Sequence, residues 1–476
     1  MLRKIRKKFS GRLLAALMLG VFALTTPEVS FAEELTSEQY MPDNHYSSLD
    51  AATTQKLDAG FNSMIGNDLG QTPGITAVIY KDGECVYRYV AGKRYLDDGV
   101  MGDRPMLIST NQRVASLSKI PVAIAVLQLV EQGKINLDAD VSEYTGYPVR
   151  NPYFPKDKIT PRMLLTHMSS LRDDDEQDGW LQTKELKDIR EYLVKNEKHW
   201  GHLEGQEPGK YFEYADENYN FLGVVIENVT GTRLDLYLRE SVLKPMGIKG
   251  TYNPNTLGEY GKSQVAAHYR ADGDGVYYAA EDDQPLEGID AKILDKYNLG
   301  QNPSIFGPAE NLFASTQDLT HILEFFIAGD GSYKGQKILS PESFNMMVTP
   351  VWQFDRNVPN GIMTTDASGK PIIESVPIAG YGYGTCIYPG EVEQAVQLLN
   401  NRPDVTLVGH TGGWNGFFSM IYWIKGTKDG FIVTQNGISG LYKDLLGTYS
   451  NQFIFQEKQA MLIMDNVFPK NNWRDF

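Results

Sequence analysis

Apolar residues recur at helical spacing from Leu49 to Leu69, and the period then changes. Gly74 to Tyr80 and Cys85 to Ala91 are rich in β-branched and aromatic residues and flank Lys81-Asp82-Gly83, a pattern that predicts strand, tight turn and strand. After a loop containing Met101 to Met106, the segment Arg113 to Val130 runs from a polar step straight into an apolar body closed by Gly133. Pro121 is tolerated only in a first turn, the body is apolar nearly all round, and Gly133 supplies a left-handed stop, so this segment predicts a buried helix.

From Lys134 to about Glu310 loops and helices predominate. Ile159 to Leu171 carries a threonine cap at Thr160, a proline at the first helical position and an apolar body. Asn311 to Phe326 reads as a capped amphipathic helix. The closing section alternates strands and turns, at Gly380 to Tyr388, Thr406 to His410, Phe418 to Ile424 and Gly430 to Gln435, before Leu441 to Ile463 predicts a final long helix. Strands at both chain ends with helices between predict an α/β (α+β) architecture: one sheet built from the two ends, and a mostly helical lobe, about 134–310, inserted between them. A ligand cleft is expected where lobe meets sheet. No Pro/Gly/Ser-rich linker and no repeat interrupts 49–465, which is read as one large domain followed by a tail, 466–476.

The first 48 residues stand apart. A basic start, the apolar run Leu13 to Leu24 and the small residues Ser30-Phe31-Ala32 before Glu33 predict a secretory signal, 1–32, cut after Ala32, with a loose arm over 33–48. An uncleaved membrane anchor is the other reading. No later stretch is long and apolar enough to cross a membrane, so the mature protein is expected to be soluble and extracytoplasmic. The signal holds six Lys/Arg and one Glu, so its removal moves the formal charge from −15 to about −20. Such a surface repels nucleic acid and anionic lipid, and an anionic polymer would have to be engaged locally at a cleft. Cys85 and Cys386 lie far apart among strand-like residues; a disulfide and two free thiols both remain open.

Ser116 and Lys119 are three residues apart at the head of the predicted helix, so both side chains project from one face. A serine hydroxyl is a poor nucleophile until a neighbour takes its proton, and a lysine can do so where burial and the helix dipole lower its proton affinity. Ser-x-x-Lys alone is weak evidence: it recurs at Ser241 to Lys244, read as a helix tail with a solvated lysine. Asp173 to Asp178 lacks the glycine and distal glutamate of a calcium loop and is read as solvated, and Ala271 to Gly275 as a hairpin turn, so no metal site is expected.

Three stretches in order resemble the serine β-lactamase and penicillin-binding protein superfamily, with its class C β-lactamases, low-molecular-mass DD-peptidases, esterases and D-aminopeptidases. They are Ser116-Leu-Ser-Lys119; Phe212 to Gly223, similar to the family's Tyr-x-Asn box; and Gly409-His410-Thr411-Gly412-Gly413, similar to its Lys/His-Thr/Ser-Gly triplet. Leu164 to Leu171 also resembles a segment common there. The resemblance covers roughly residues 50 to 460. It implies a β-lactamase/DD-peptidase-like fold with an antiparallel sheet, and it implies roles: Ser116 as acylated nucleophile, Lys119 as its activator, Tyr214 as proton shuttle, the backbone N–H groups of Ser116 and Gly413 as oxyanion hole, and Asp216, His410, Thr411 and Gly412 facing the substrate.

Two departures bear on substrate. Asp216 stands where the family usually has asparagine, and the literal Tyr-x-Asn of this chain, Tyr449-Ser450-Asn451, is out of order. An ionised aspartate only accepts hydrogen bonds, favours a substrate ammonium, and near Lys119 holds it protonated, shifting base work to Tyr214. His410 replaces the commoner lysine and would hold a substrate carboxylate less firmly. The resemblance therefore implies a secreted serine hydrolase, without metal or organic cofactor, acting on D-alanyl or other D-amino-acid amides or esters in cell-wall peptides or D-alanylated wall polymers, with β-lactams as acylating ligands. The alternatives are a class C-like β-lactamase and a non-catalytic penicillin-binding or sensor protein.

Overall fold

The computed structural model describes residues 45–97, 99, 102–173, 187–271, 276–279, 288–355, 361, 364–365, 371–372, 378–392, 402–414, 416–439 and 454–468. The signal, nearly all of the arm, the acidic run beyond Asp173, the hairpin turn 272–275, the Tyr449 stretch and all of the tail but 466–468 lie outside them.

The frame is a ten-stranded antiparallel sheet. The N-terminal part supplies β1 (Tyr46–Ser47), helix α1 (Ala51–Asn62), β2 (Gly74–Lys81) and β3 (Glu84–Tyr95). The C-terminal part supplies β4 (Trp352–Gln353), β5 (Gly380–Tyr381), β6 (Cys386–Pro389), β7 (Thr406–Trp414), β8 (Phe417–Ile424) and β9 (Gly430–Gln435). The order is β1-β3-β2-β9-β8-β7-β6-β5-β4, with Arg104–Pro105 added beside β3. The two ends of the chain join where β9 pairs with β2, Gly430 opposite Tyr80 and Gln435 opposite Ile75.

Alternation along the strands divides the core between the two faces. In β2, Ile75, Ala77 and Ile79 face one way, into a cluster with Leu57 and Phe61 of α1 and with Ala460, Ile463 and Met464 of the C-terminal helix Ile454–Val467. Val78 and Tyr80 face the other. That second face is covered by α2 (Lys119–Glu131), α3 (Pro161–Leu165), α4 (Glu217–Thr230) and α5 (Thr316–Ala328), whose apolar residues form the larger cluster.

Local chemistry sets the boundaries. Asp50 caps α1 by accepting from the N–H groups of Ala52 and Thr53; the helix stops at Asn62, short of the predicted Leu69. Asp82 and Gly83 hold φ of 55° and 87°, the left-handed pair a two-residue hairpin demands. The helix expected from Asn311 begins only at Thr316, under a capping box of Ser315 and Asp318. Phe313–Ser315 before it is a strand paired with Asn111–Arg113. The single strand expected over Gly380 to Tyr388 is broken between β5 and β6 at Gly384 (φ 78°), where a Cβ would lie 2.4 Å from that of Ala123 in α2. Apart from α4, the inserted lobe is made of short helices joined by long loops. Its strands Tyr269–Ala271 and Tyr278–Ala279 pair antiparallel across the expected turn. Both cysteines are free, and no helix among the described residues is long and apolar enough to cross a membrane.

Candidate active site

The pairing of Asn111–Arg113 with Phe313–Ser315 delivers the chain to the head of α2, and Val114 N–H continues it with a 2.9 Å bond to Leu312 O. There the backbone makes a single tight turn, Ala115–Ser118, before the helix proper. Ala115 has φ of 49°, a left-handed conformation that costs a side-chain-bearing residue about 1–2 kcal/mol. The turn is pinned from three sides. Ser118 Oγ donates to Ala115 O at 2.6 Å and accepts from Leu312 N–H at 2.9 Å, and Tyr252 Oη donates to Ser118 O at 2.5 Å. Ser116 is left half-buried at the helix head.

Lys119 is wholly buried one turn on. Its ammonium donates to Ser116 Oγ at 3.0 Å, to Asp216 Oδ1 at 2.6 Å and to Ala309 O at 3.0 Å, three acceptors for three N–H groups. Asp216 sits just before α4, and Asp173 accepts from its N–H and that of Glu217 at 3.1 and 3.3 Å. Lys119 Nζ also lies 4.9 Å from the centroid of the Tyr214 ring. The Tyr214 hydroxyl is buried and has no hydrogen-bond partner among the described residues. Burial and the Asp216 carboxylate hold that phenol well above its ordinary range, so it carries its proton, while the Ser116 hydroxyl draws the other way.

Strand β7 closes the site. A Cβ on Gly412 would meet Val114 O at 2.6 Å and Ser419 Oγ at 2.5 Å, so only glycine lets the strand lie against the nucleophile turn. Thr411 is half-buried and Gly413 exposed. His410, expected to face the substrate, is turned inward: it is 1% exposed, with Nε2 3.1 Å from Tyr381 Oη and Nδ1 bonded to Thr411 O. Burial and Lys119 hold it down at about 3, so it is neutral at every ordinary pH. The structure thus brings Ser116, Lys119, Tyr214 and Asp216 together beside Thr411, Gly412 and Gly413, and takes His410 out of the cleft.

Residues that sequence reasoning did not single out complete the surroundings. His167 stacks on the Tyr214 ring with centroids 4.3 Å apart, and Tyr381 lies between His167 and His410. Glu310, next to the Ala309 carbonyl that Lys119 uses, is pushed up by burial and by Asp216. Glu217 is 4% exposed, bonded to the Asn220 amide, and pushed up to about 8 by burial and by Asp173. Between its ordinary 4.5 and about 8 the folded chain keeps a proton there that the unfolded chain has lost, so this group lowers stability as pH rises through that window. Glu217→Gln is expected to melt a few degrees above the parent at pH 8, with the gap closing towards pH 4.5; thermal denaturation across that range checks it.

The second Ser-x-x-Lys has no such setting. Ser241 Oγ bonds Tyr237 O, and the half-exposed Lys244 pairs with Glu240. Among the described residues no group of three or more His, Cys, Asp and Glu is arranged to hold a metal ion.

Comparison with known proteins fits this geometry. A family model described as Beta-lactamase matches residues 61–441. A protein named flp from Staphylococcus aureus (strain MW2) is 26% identical over 277 residues, 57% of this chain and 49% of that protein. The chain therefore spans about half the length of that relative. A putative D-alanyl-D-alanine carboxypeptidase from Escherichia coli O157:H7 is 28% identical over 318 residues, 63% of this chain and 68% of that protein. Among solved structures, the D-amino acid amidase from Ochrobactrum anthropi SV3, complexed with L-phenylalanine amide, superposes with a TM-score of 0.58 at 17% identity, covering 87% of this chain and 99% of the amidase, a likeness of fold.

Proposed function

Because this chain belongs to the beta-lactamase family, we propose that it is a serine hydrolase that forms an acyl-enzyme at Ser116 on amides or esters of D-amino acids, foremost D-alanine, in cell-wall components. The observation that carries the reading is the line Ser116 Oγ, Lys119 Nζ, Asp216 Oδ1, with steps of 3.0 and 2.6 Å, beside the buried, protonated Tyr214 hydroxyl.

An ammonium with all three donors engaged has no lone pair to take a proton. Lys119 becomes a base by passing one to Asp216, and then accepts the Ser116 proton as Oγ attacks the carbonyl carbon. The N–H groups of Ser116 and Gly413 receive the carbonyl oxygen as it gains charge. Tyr214 donates its proton to the leaving amine or alcohol, and the resulting phenolate is held beside the Lys119 ammonium. A water then gives a proton to the phenolate and attacks the acyl group. Ser116 recovers its proton from Lys119, and Asp216 returns its own to Lys119. Protons and charge balance over the cycle.

Charge in the cleft supports the substrate class. Asp216, partly open to solvent, pairs with Lys119 at the cleft, and neutral His410 adds no cation to hold a substrate carboxylate. A free ammonium therefore suits the site better than the carboxylate of a β-lactam or a C-terminal D-alanine. Two of the similar proteins, a putative D-alanyl-D-alanine carboxypeptidase and a D-amino acid amidase, point to D-amino-acid chemistry. The same reading includes export and cleavage after Ala32, checked by N-terminal sequencing of the secreted protein.

Intact-mass spectrometry after incubation with D-alanine amide, a D-alanyl ester, a D-Ala-D-Ala peptide and a penicillin, with peptide mapping of any adduct, tests the reading. Turnover of amide or ester with an adduct on Ser116 is expected. Fastest turnover of penicillin would make the protein a β-lactamase, a stable penicillin adduct without turnover would make it a binding protein, and an adduct on another residue would end the assignment of the nucleophile.

A further inference from the structure

We propose that Tyr381 is the positioning residue of this site: its hydroxyl joins His167 to His410 in one directed hydrogen-bond chain that fixes Tyr214 on one wall of the cleft and Thr411 on the other. The inference rests on the hydrolase reading above.

The direction of the chain follows from its ends. Ala215 N–H can only donate, and it lies 3.1 Å from His167 Nδ1, so Nδ1 is an acceptor. The Asn218 amide donates to the same nitrogen at 3.3 Å, its orientation set by its oxygen, which accepts from Ser169 Oγ at 2.5 Å. The proton of neutral His167 is therefore on Nε2, which donates to Tyr381 Oη at 3.2 Å. At the other end Thr411 O can only accept, so His410 carries its proton on Nδ1, and its Nε2 receives the Tyr381 O–H at 3.1 Å. Reversing any link leaves a buried polar group without its partner. All three side chains are at most 1% exposed.

Position gives the chain its purpose. It begins at Ala215, between Tyr214 and Asp216, and ends at Thr411, next to Gly412. His167 is held at φ of 55°, a strained conformation for a side-chain-bearing residue, and this conformation lays its ring against Tyr214. Lys119, Tyr214, Tyr219 and Cys386 are the titratable groups facing the three rings, and burial together with Lys119 keeps both imidazoles below their ordinary range.

The experiment combines nitrogen-15 NMR of the imidazoles between pH 5 and 8 with acylation kinetics, on the parent and on Tyr381→Phe, which removes one oxygen and keeps the ring. In the parent, His167 is expected as the Nε2–H tautomer and His410 as Nδ1–H, neither titrating. In the variant both tautomers are expected to persist, because Ala215 N–H and Thr411 O still set them. The Nε2 resonance of each imidazole shifts on losing its partner, and kcat falls about 10- to 100-fold, with KM within about threefold, because a placement error at the reacting atoms acts on the chemical step. Either imidazole in the opposite tautomer, or titrating in the parent, overturns the proposal whether or not the variant folds. So does a folded variant whose two Nε2 resonances have shifted yet which acylates within about twofold of the parent rate. A parent that shows both expected tautomers yet neither acylates nor turns over any substrate is a failure of the hydrolase reading itself, and it takes this proposal down with it.

Discussion

Replacing Lys119 by methionine is expected to lower the acylation rate by about 10^3-fold or more while the protein stays folded. Methionine fills nearly the same buried volume but offers neither the proton relay to Asp216 nor a positive charge beside Ser116, and positioned proton transfer alone contributes about 10²- to 10⁴-fold. Stability should suffer less than for a buried pair broken in a dry core, because Asp216 keeps 31% of its side-chain surface in solvent and water can take up the freed carboxylate. Single-turnover kinetics with a chromogenic ester, beside a melting curve, checks both halves. A residual rate within tenfold of the parent would move the base to Tyr214 and undo the relay.

Gly412→Ala is expected to cost about 100-fold in kcat, out of proportion to its effect on melting. The new methyl would stand 2.6 Å from Val114 O and 3.1 Å from Leu117 Cδ1, so β7 and the Ser116 turn must part. The Val114 carbonyl belongs to backbone and cannot swing aside. Displacement of about 1 Å between nucleophile and the donors on β7 is enough for a loss of that order. Parallel measurement of kcat, KM and melting temperature decides it: a drop in stability with unchanged kcat would mean the strand moved as a unit with the turn.

The central strands were legible because each alternates strongly or is apolar throughout, and Gly430–Gln435 appears with its predicted ends. Ser116 and Lys119 were legible because a polar step stands directly before an apolar helix. The conformation between them was not: that Ala115 turns left-handed depends on Ser118, Leu312 and Tyr252, and the last two are distant in sequence. His410 offered a signal that could have been used, since neighbouring residues of one strand point to opposite faces and His410 and Thr411 cannot both face a ligand. His167 and Tyr381 gave none. One lies in an irregular turn and the other in a two-residue strand, and their meaning arises only from each other. The helix expected from Asn311 failed for a comparable reason, as pairing with Asn111–Arg113 outweighs local preference over Phe313–Ser315.

The joining of β2 to β9 also governs how the molecule can be made. Two neighbours at the middle of the sheet are separated by most of the chain, so local contacts cannot assemble the centre and folding is limited by a long-range search. Until Gly430–Gln435 has been synthesised, β2 is an open, apolar edge of the kind that recruits other chains. A nascent or truncated chain that ends before Gly430 is accordingly a client for a holding chaperone, and a product shortened there should appear as aggregate rather than as a smaller folded protein.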